Sequence, residues 1–573
     1  MEHLPIWRPF SQLRAPYIRA HSPAHRLCAF AHFGYEKREL FLIASYCSPQ
    51  VMEDTHLVQV EVGGIQQFIF EGSRLREWRG ASALLDKAER VDVKQALADA
   101  GLDPDRTVLR QGGGVVVVHV PEDTDPSAVQ RVIERAYKQA APGAQVYSAQ
   151  APLHDDVQRT LATLTFQVER NRGQALQVDA DVSLLGPMAR PCDSCGKRPA
   201  EETSEIGDDG RLLCGVCAHK GQHGGRVRRG EANESVLDRF RRYLHSVDHR
   251  TEVLPESLRK ALPDDFNAIA EAGNGSLALI QADGNSLGKT VQKLTSLPQY
   301  EALSEGIAGA VERALFDTLA EYGPRKGVLP WEILFLGGDD ILIATADDIA
   351  LEVVSTLVKR IESTTKDVFD GEDLKALNRS HLSMGVGLVV SDAHIPISVL
   401  RDMAHALERS AKKRTYALQN EDPNAEVSTV DLHRITGSGS ASLKHLRNYA
   451  LQPRRAGGFT KVELTQRPFT LQEFDQVINV ARTWKEAGLP NNKLHALREG
   501  LFISPAEAMR RWIHTVGRSS NKRHPAWLEL NTLVSQTQGE EHPPYAIRSQ
   551  ENGEDEKSAA TPLLDVLDTH ALL

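Results

Sequence analysis

At 573 residues the chain has room for about three to five domains, and its 41% hydrophobic and 25% charged content is that of an ordinary globular protein. A net charge of −10 argues against a protein that coats nucleic acid generally, though it leaves room for a local basic groove. No apolar run reaches the length of a membrane span, and Met1-Glu2-His3-Leu4-Pro5 lacks the charge and apolar stretch of a signal peptide, so a cytoplasmic protein without membrane partners is expected.

Residues 1–55 hold mixed short segments and form an N-terminal segment of unassigned structure. A strand pattern runs from Val58 to Phe70, followed by a helix over Leu75–Glu89. Thr107–Val120 reads as a hairpin turning at Gly112-Gly113-Gly114, with a helix over Pro126–Gln139 and a strand over Gln145–Ala149 after it. Residues 56–155 are thus predicted to be a β-α-β-β-α-β unit.

Residues 156–270 are expected to hold linker helices and a zinc module. Cys192-Asp-Ser-Cys195 and Cys214-Gly-Val-Cys217 lie 18 residues apart and contain four of the six cysteines. That spacing suits a zinc ribbon or knuckle, and four thiolates close the tetrahedron, so the Zn²⁺ is read as structural. His219 and His223 are alternative ligands; Cys28 and Cys47 read as free thiols. His154-Asp155 stands on an expected helix as an isolated pair. A basic run follows (Arg226, Arg228, Arg229, Arg239, Arg241, Arg242, Arg250), interleaved with Phe240 and Tyr243. A charge run alone is a solvated face, and an RNA surface only if other signals agree.

The same element order returns over 271–420. Leu277–Ala282 is a strand ending in Asp283-Gly284-Asn285-Ser286-Leu287-Gly288-Lys289, and Tyr300–Tyr322 a helix. Trp331–Thr345 is a hairpin turning at Gly337-Gly338-Asp339-Asp340, Asp347–Thr364 a helix, Ser383–Val390 a strand and Val399–Leu418 a helix. Two adjacent carboxylates on a hairpin tip repel each other, and a divalent cation relieves the repulsion; oxygen ligands suit Mg²⁺ or Mn²⁺. A lone Gly-Gly-Asp-Asp is a common turn. Here Asp283 stands 56 residues before Asp339 with a helix between, as in nucleotide polymerases and cyclases of the palm type. The first unit has no matching Asp-Gly turn and carries Gly112-Gly113-Gly114 at its hairpin, so it is expected to hold no catalytic metal.

Beyond a linker containing Gly437-Ser438-Gly439-Ser440, residues 421–537 read as a C-terminal helical domain. Leu471, Phe474, Val477, Ile478, Ala481 and Trp484 share one helical face, and Ser504-Pro505-Ala506-Glu507 is a capping box. Residues 538–573 read as an acidic flexible tail, in which Thr561–Leu573 has the pattern of a short docking helix. The expected fold class is therefore α+β: two ferredoxin-like palm domains, an intervening zinc module and a C-terminal helical domain.

Taken in order, these motifs resemble the large signature subunit of type III CRISPR effector complexes, the CRISPR palm-domain polymerase. The resemblance rests on Gly63-Gly64-Ile65-Gln66-Gln67-Phe68-Ile69-Phe70, on Leu75-Arg-Glu-Trp-Arg-Gly-Ala-Ser82-Ala-Leu-Leu85, on cysteines between the palms, on the Asp283-Gly284 turn and on the Gly-Gly-Asp-Asp hairpin. It spans about residues 57–530. It implies that bound target RNA switches on joining of ATP into cyclic oligoadenylates. It implies Asp283, Asp339 and Asp340 as catalytic metal ligands, and Gly284, Asn285, Ser286, Gly288, Gly337 and Gly338 as shapers of the nucleotide site. Ser383 would line the nucleotide pocket, and Lys412 or Lys413 would neutralise the triphosphate. ATP, guide RNA, target RNA and other effector subunits are the implied partners. Two departures stand out. Asn285 replaces a third-position Asp common in the family. About 55 residues precede the first palm, too few for an HD-type nuclease, so no such DNase activity is expected. A catalytically weak scaffold subunit and a GGDEF-type diguanylate cyclase are the rival readings; the latter hairpin usually carries Asp-Glu-Phe or Glu-Glu-Phe where this chain has Asp339-Asp340-Ile341.

Overall fold

The computed structural model describes residues 55–573 except 176–188, 204–209, 233, 248–252, 254–255, 436, 438–441, 538 and 550–556. The expectations for residues 1–54, Cys28, Cys47 and Arg250 lie outside the described residues. The described part is a mixed α+β protein with several sheets.

The first repeat contains β1 (His56–Gly63), α1 (Leu75–Lys87), β2 (Val108–Gly112), β3 (Val115–Val120), α2 (Pro126–Ala140) and β4 (Gln145–Pro152). Its sheet order is β2-β3-β1-β4 with every neighbouring pair antiparallel. Val58, Val60, Val116 and Val118 face α1 and α2, while Leu57, Val117 and Ala149 face α3 (Val157–Ala175). Burial of both faces explains why β3 is a run of valines and not an alternation. The strand ends earlier than the sequence pattern suggested. Gly64, at φ 63°, turns the chain, and Ile65–Ile69 forms a short helical turn that drops Phe68 and Ile69 into the core. His154 precedes α3 in a loop and is not helical.

The cysteine module docks on this repeat through α4 (Gly215–Arg229), which α5 (Val236–Ser246) follows. Helices α1 and α4 touch backbone to backbone: a Cβ on Gly80 would fall 1.8 Å from the Lys220 carbonyl oxygen. The buried Lys220 ammonium donates to the Phe68 carbonyl at 2.6 Å and lies 3.8 Å from the Phe68 ring centre. Glu77 on α1 accepts from Ser194 at 2.5 Å and from Arg211 at 3.3 Å, tying the cysteine loop to the same helix.

The second repeat contains β5 (Ser276–Gly284), α6 (Leu297–Leu319), β6 (Trp331–Gly337), β7 (Asp340–Ala346), α7 (Asp347–Phe369), β8 (Met384–Asp392), α8 (Ile397–Glu421) and β9 (Thr429–Arg434). Its inner strands run β8-β5-β7-β6, the order of the first repeat, with β9 added parallel to β8 at one side. Helices α6 and α7 cover one face and α8 the other. The registers correspond. Ala282 pairs with Ile341 and Gly337 with Asp340 in the second repeat; Val60 pairs with Val116 and Gly112 with Val115 in the first. Gly114 and Val115 therefore stand where Asp339 and Asp340 stand, and Glu61 stands where Asp283 stands. This corrects the expectation that the first repeat retains no carboxylate. Glu61 is present but is held by Arg172 and by Gln59. At Gly114, φ is 75° and a Cβ would lie 2.2 Å from Ile65 Cδ1.

The repeats are joined by a buried ion pair. Arg79 on α1 meets Glu332 on β6 through two hydrogen bonds of 2.7 and 3.0 Å, with both side chains 6% exposed, and also donates to the Pro263 carbonyl at 3.0 Å. C-terminal to the second repeat, α9 (Leu471–Glu486) starts in a Thr470–Glu473 capping box and contributes Trp484 to a cluster with Trp512 and Trp527. The segment expected to be a flexible acidic tail is instead folded where it is described. Tyr545–Ser549 and Lys557–Ala560 pair as antiparallel strands, and α10 (Leu563–His570) buries Leu563, Leu564 and Val566. Its acidity misled the composition reading because Asp565 and Asp568 are internal partners of the buried Arg467.

Replacing Arg79 by Met leaves Glu332 charged and buried alone, which costs about 3–5 kcal/mol. The urea midpoint should fall sharply in Arg79→Met and recover in large part in Arg79→Met/Glu332→Met.

Candidate functional site

Hairpin β6–β7 and the end of β5 bring three carboxylates to one corner. The hairpin loop is two residues, and Gly338 at φ 66° supplies the positive φ that such a loop needs at its first position. A bulge between Ile333 and Phe335 bends β6 just before it. Asp283 lies one residue beyond the Ala282–Ile341 pair. Gly284 makes room for the hairpin: a Cβ there would fall 2.6 Å from Asp339 Oδ2. Burial, then repulsion from Asp283, pushes the Asp339 carboxyl up to about 7 and that of Asp340 up to about 8. Asp340 Oδ2 accepts from Gln66 Nε2 at 3.1 Å, while Oδ1 is buried with no partner.

Lys412 lies at the foot of this corner. Its ammonium pairs with Asp283, donates to the Gly284 carbonyl at 3.2 Å and lies 3.4 Å from Glu408. Burial opposes the Lys412 charge, but Asp283 and Glu408 hold its pKa above the usual lysine value. Lys413, the other candidate, faces solvent.

Two residues expected to line a nucleotide pocket lie beneath the corner. Asn285 is fully buried; its N–H donates to the Ser383 carbonyl at 2.8 Å and its amide to Ser383 Oγ at 3.3 Å and Thr415 Oγ1 at 3.4 Å. Ser383 is itself buried, so the pair ties β5 to β8 and α8 from below. Ser286 is at φ 58° and donates to Gln419 at 3.3 Å. Gly288 is exposed, and Gly337 and Gly338 form the tip.

Three contributors were not singled out from the sequence. Gln66 reaches Asp340 from the first repeat, and its signal was present in the Gly-Ile-Gln run. Arg110, also from the first repeat, faces Tyr300 and Asp339, which hold its pKa high against burial. Arg379 donates to the Asn285 carbonyl at 2.9 Å and to Thr290 Oγ1 at 2.5 Å; nothing in its loop sequence marks it. Arg110, Leu287, Val291, Tyr300 and Leu303 line a cavity that opens beside Asp339.

Among the described residues, the four cysteines are the set of His, Cys, Asp and Glu groups close enough together to hold a metal ion: Cys192, Cys195, Cys214 and Cys217 bring their Sγ atoms within 4.8 Å of one another. A tetrahedron of thiolates about 2.3 Å from a metal has edges of about 3.8 Å, and Cys195 and Cys214 are 3.9 Å apart. His219 and His223 are not in this set. The aspartates are less drawn together, because Asp283 is turned to Lys412. The basic run is largely neutralised internally. Arg228 pairs with Asp264, Arg229 with Glu231, Arg242 with Glu234, and the buried Arg239 with Asp86 and Glu312.

A two-residue hairpin carrying paired aspartates beside a strand-end aspartate, on a sheet of this order, defines a palm-type domain. Residues 276–419 match the family description "Cas10/Cmr2, second palm domain", and over this segment the chain is Cas10-like. Among solved structures, the chain is similar to a Csm1–Csm4 cassette in complex with cA3 (15% identity, TM-score 0.49, 93% of this chain and 72% of that one). It is similar to Csm1 of T. onnurineus (15%, 0.48, 92% and 71%) and to a Csm1–Csm4 cassette with AMPPNP (15%, 0.41, 65% and 55%). The chain thus spans little more than half of the last of these. No curated protein matches it. Among the described residues no helix is long and apolar enough to cross a membrane.

Asp339 and Asp340 bind protons more tightly folded than unfolded, so without metal they destabilise the fold as pH rises from about 4 through 7–8. In EDTA at pH 8.5, Asp339→Asn/Asp340→Asn should melt roughly 2–4 °C above the unaltered protein, and the gap should close by pH 5.

Proposed function

We propose that the chain is the large subunit of a type III CRISPR-like effector complex whose second repeat makes cyclic oligoadenylate-type messengers from ATP when target RNA is bound. The observation that carries this reading is the aspartate corner inside the Cas10/Cmr2 palm segment, with one buried Asp340 oxygen lacking a partner. In each join the 3′ oxygen of one nucleotide bonds to the α-phosphorus of the next ATP and pyrophosphate leaves. Asp283, Asp339 and Asp340 are the residues that would hold Mg²⁺ or Mn²⁺; when bound, such ions acidify the attacking hydroxyl and offset triphosphate charge. Lys412, once released from Asp283, is placed to hold a phosphate. The apolar cavity walls suit a base, with Arg110 and Tyr300 at its edge. The first repeat is read as a second palm that has lost its hairpin carboxylates. Cys192, Cys195, Cys214 and Cys217 would hold a structural Zn²⁺ that fastens the cysteine loop to α4.

A scaffold subunit that binds guide and target RNA with little catalysis is the second reading, favoured by the Asp283–Lys412 pair and by Asn285 being buried where many relatives place a carboxylate. A diguanylate cyclase fits less well, since the matched family is Cas10/Cmr2.

Mass spectrometry of products from ATP with Mg²⁺ or Mn²⁺, using protein purified with its RNA and partner subunits, decides between them. Adenylate oligomers that fall at least about a hundredfold in Asp339→Ala/Asp340→Ala support the synthase; no product from an intact complex supports the scaffold. Metal analysis should find about one zinc per chain, lost together with several degrees of melting temperature in Cys214→Ser/Cys217→Ser.

A further inference from the structure

We infer that Gln66 of the first repeat is a positioning residue for the metal site of the second, an inference that rests on the reading of Asp283, Asp339 and Asp340 as metal ligands. Gln66 and Asp340 are 274 residues apart in sequence, yet the amide donates to Asp340 Oδ2 at 3.1 Å. An ionised carboxylate only accepts, so the glutamine must present its NH₂. With Oδ2 held, the carboxylate plane is fixed and Oδ1 is left buried and unpartnered. A buried carboxylate oxygen without a donor is unfavourable unless something positive occupies the place in front of it. The hydrogen bond thus aims one oxygen of Asp340 at the corner shared with Asp283 and Asp339 and keeps the other out of it. Second-sphere partners of this kind orient ligands in metal sites generally.

The surroundings make Gln66 a fixed arm. Its turn is anchored by buried Phe68 and Ile69. The hairpin tips of the two repeats touch, since a Cβ on Gly337 would lie 2.7 Å from Gly113 Cα. The rival explanation is that Gln66 only helps the repeats adhere. That role would change stability and leave metal affinity alone.

The test is Mn²⁺ binding by the full chain, read from the electron paramagnetic resonance of free Mn²⁺, for the unaltered protein, Gln66→Met and Asp340→Ala. Met keeps the length and packing of Gln but has no N–H. Gln66→Met should weaken Mn²⁺ binding about tenfold with an unchanged melting temperature in EDTA, and in the assembled complex kcat should fall while KM for ATP holds. If Asp340→Ala loses Mn²⁺ and Gln66→Met stays within about twofold of the unaltered protein, the inference is overturned while the metal reading stands. If Asp340→Ala binds Mn²⁺ as the unaltered protein does, the metal reading fails and the inference falls with it.

Discussion

Arg79 and Glu332 meet where no water can replace either partner, and the relative placement of the two repeats hangs on them. Arg79 belongs to the helix against which the cysteine module packs; Glu332 belongs to the strand that runs into the aspartate hairpin. Such a pair contributes little net energy compared with an apolar contact of the same shape, but a wrong alignment would strand a charge. It therefore selects one docking geometry. In that geometry Gly113 rests on Gly337, Gln66 reaches Asp340 and Arg110 stands beside Asp339.

The strand and helix order of both repeats was readable from the sequence because the periodicities are strong and glycines mark the turns. The paired aspartates were readable because two adjacent carboxylates at a hairpin tip have few structural uses. What could not be read was every contact between the repeats. Gln66 and Arg110 meet Asp340 and Asp339 only through tertiary docking, which leaves no local pattern. Asn285 and Ser383 were misplaced for a related reason. Sequence adjacency to Asp283 suggested exposure, but the turn directs the Asn285 amide inward to Ser383 and Thr415. The C-terminal segment shows the same limit in reverse, since its acidic composition concealed the buried Arg467 that meets Asp565 and Asp568.

The cysteine module stands outside the aspartate corner yet contributes to it mechanically. Its knuckle is tied to Glu77 at the start of α1, and its helix presses on Gly80 within α1. A metal ion that stiffens the knuckle would therefore stiffen the helix that presents Arg79.

The short turn after Gly64 bears on the history of the duplication. Ile65 occupies the space into which any side chain at position 114 would extend, and the backbone there has a handedness that only glycine adopts freely. A single substitution at the tip of the first repeat cannot bring an aspartate back, even though Glu61 still stands at the strand end. The residue next to the obstruction is Gln66. The segment that serves one half of the molecule thus closes the road back for the other, and the division of labour between the two copies behaves as an evolutionary ratchet.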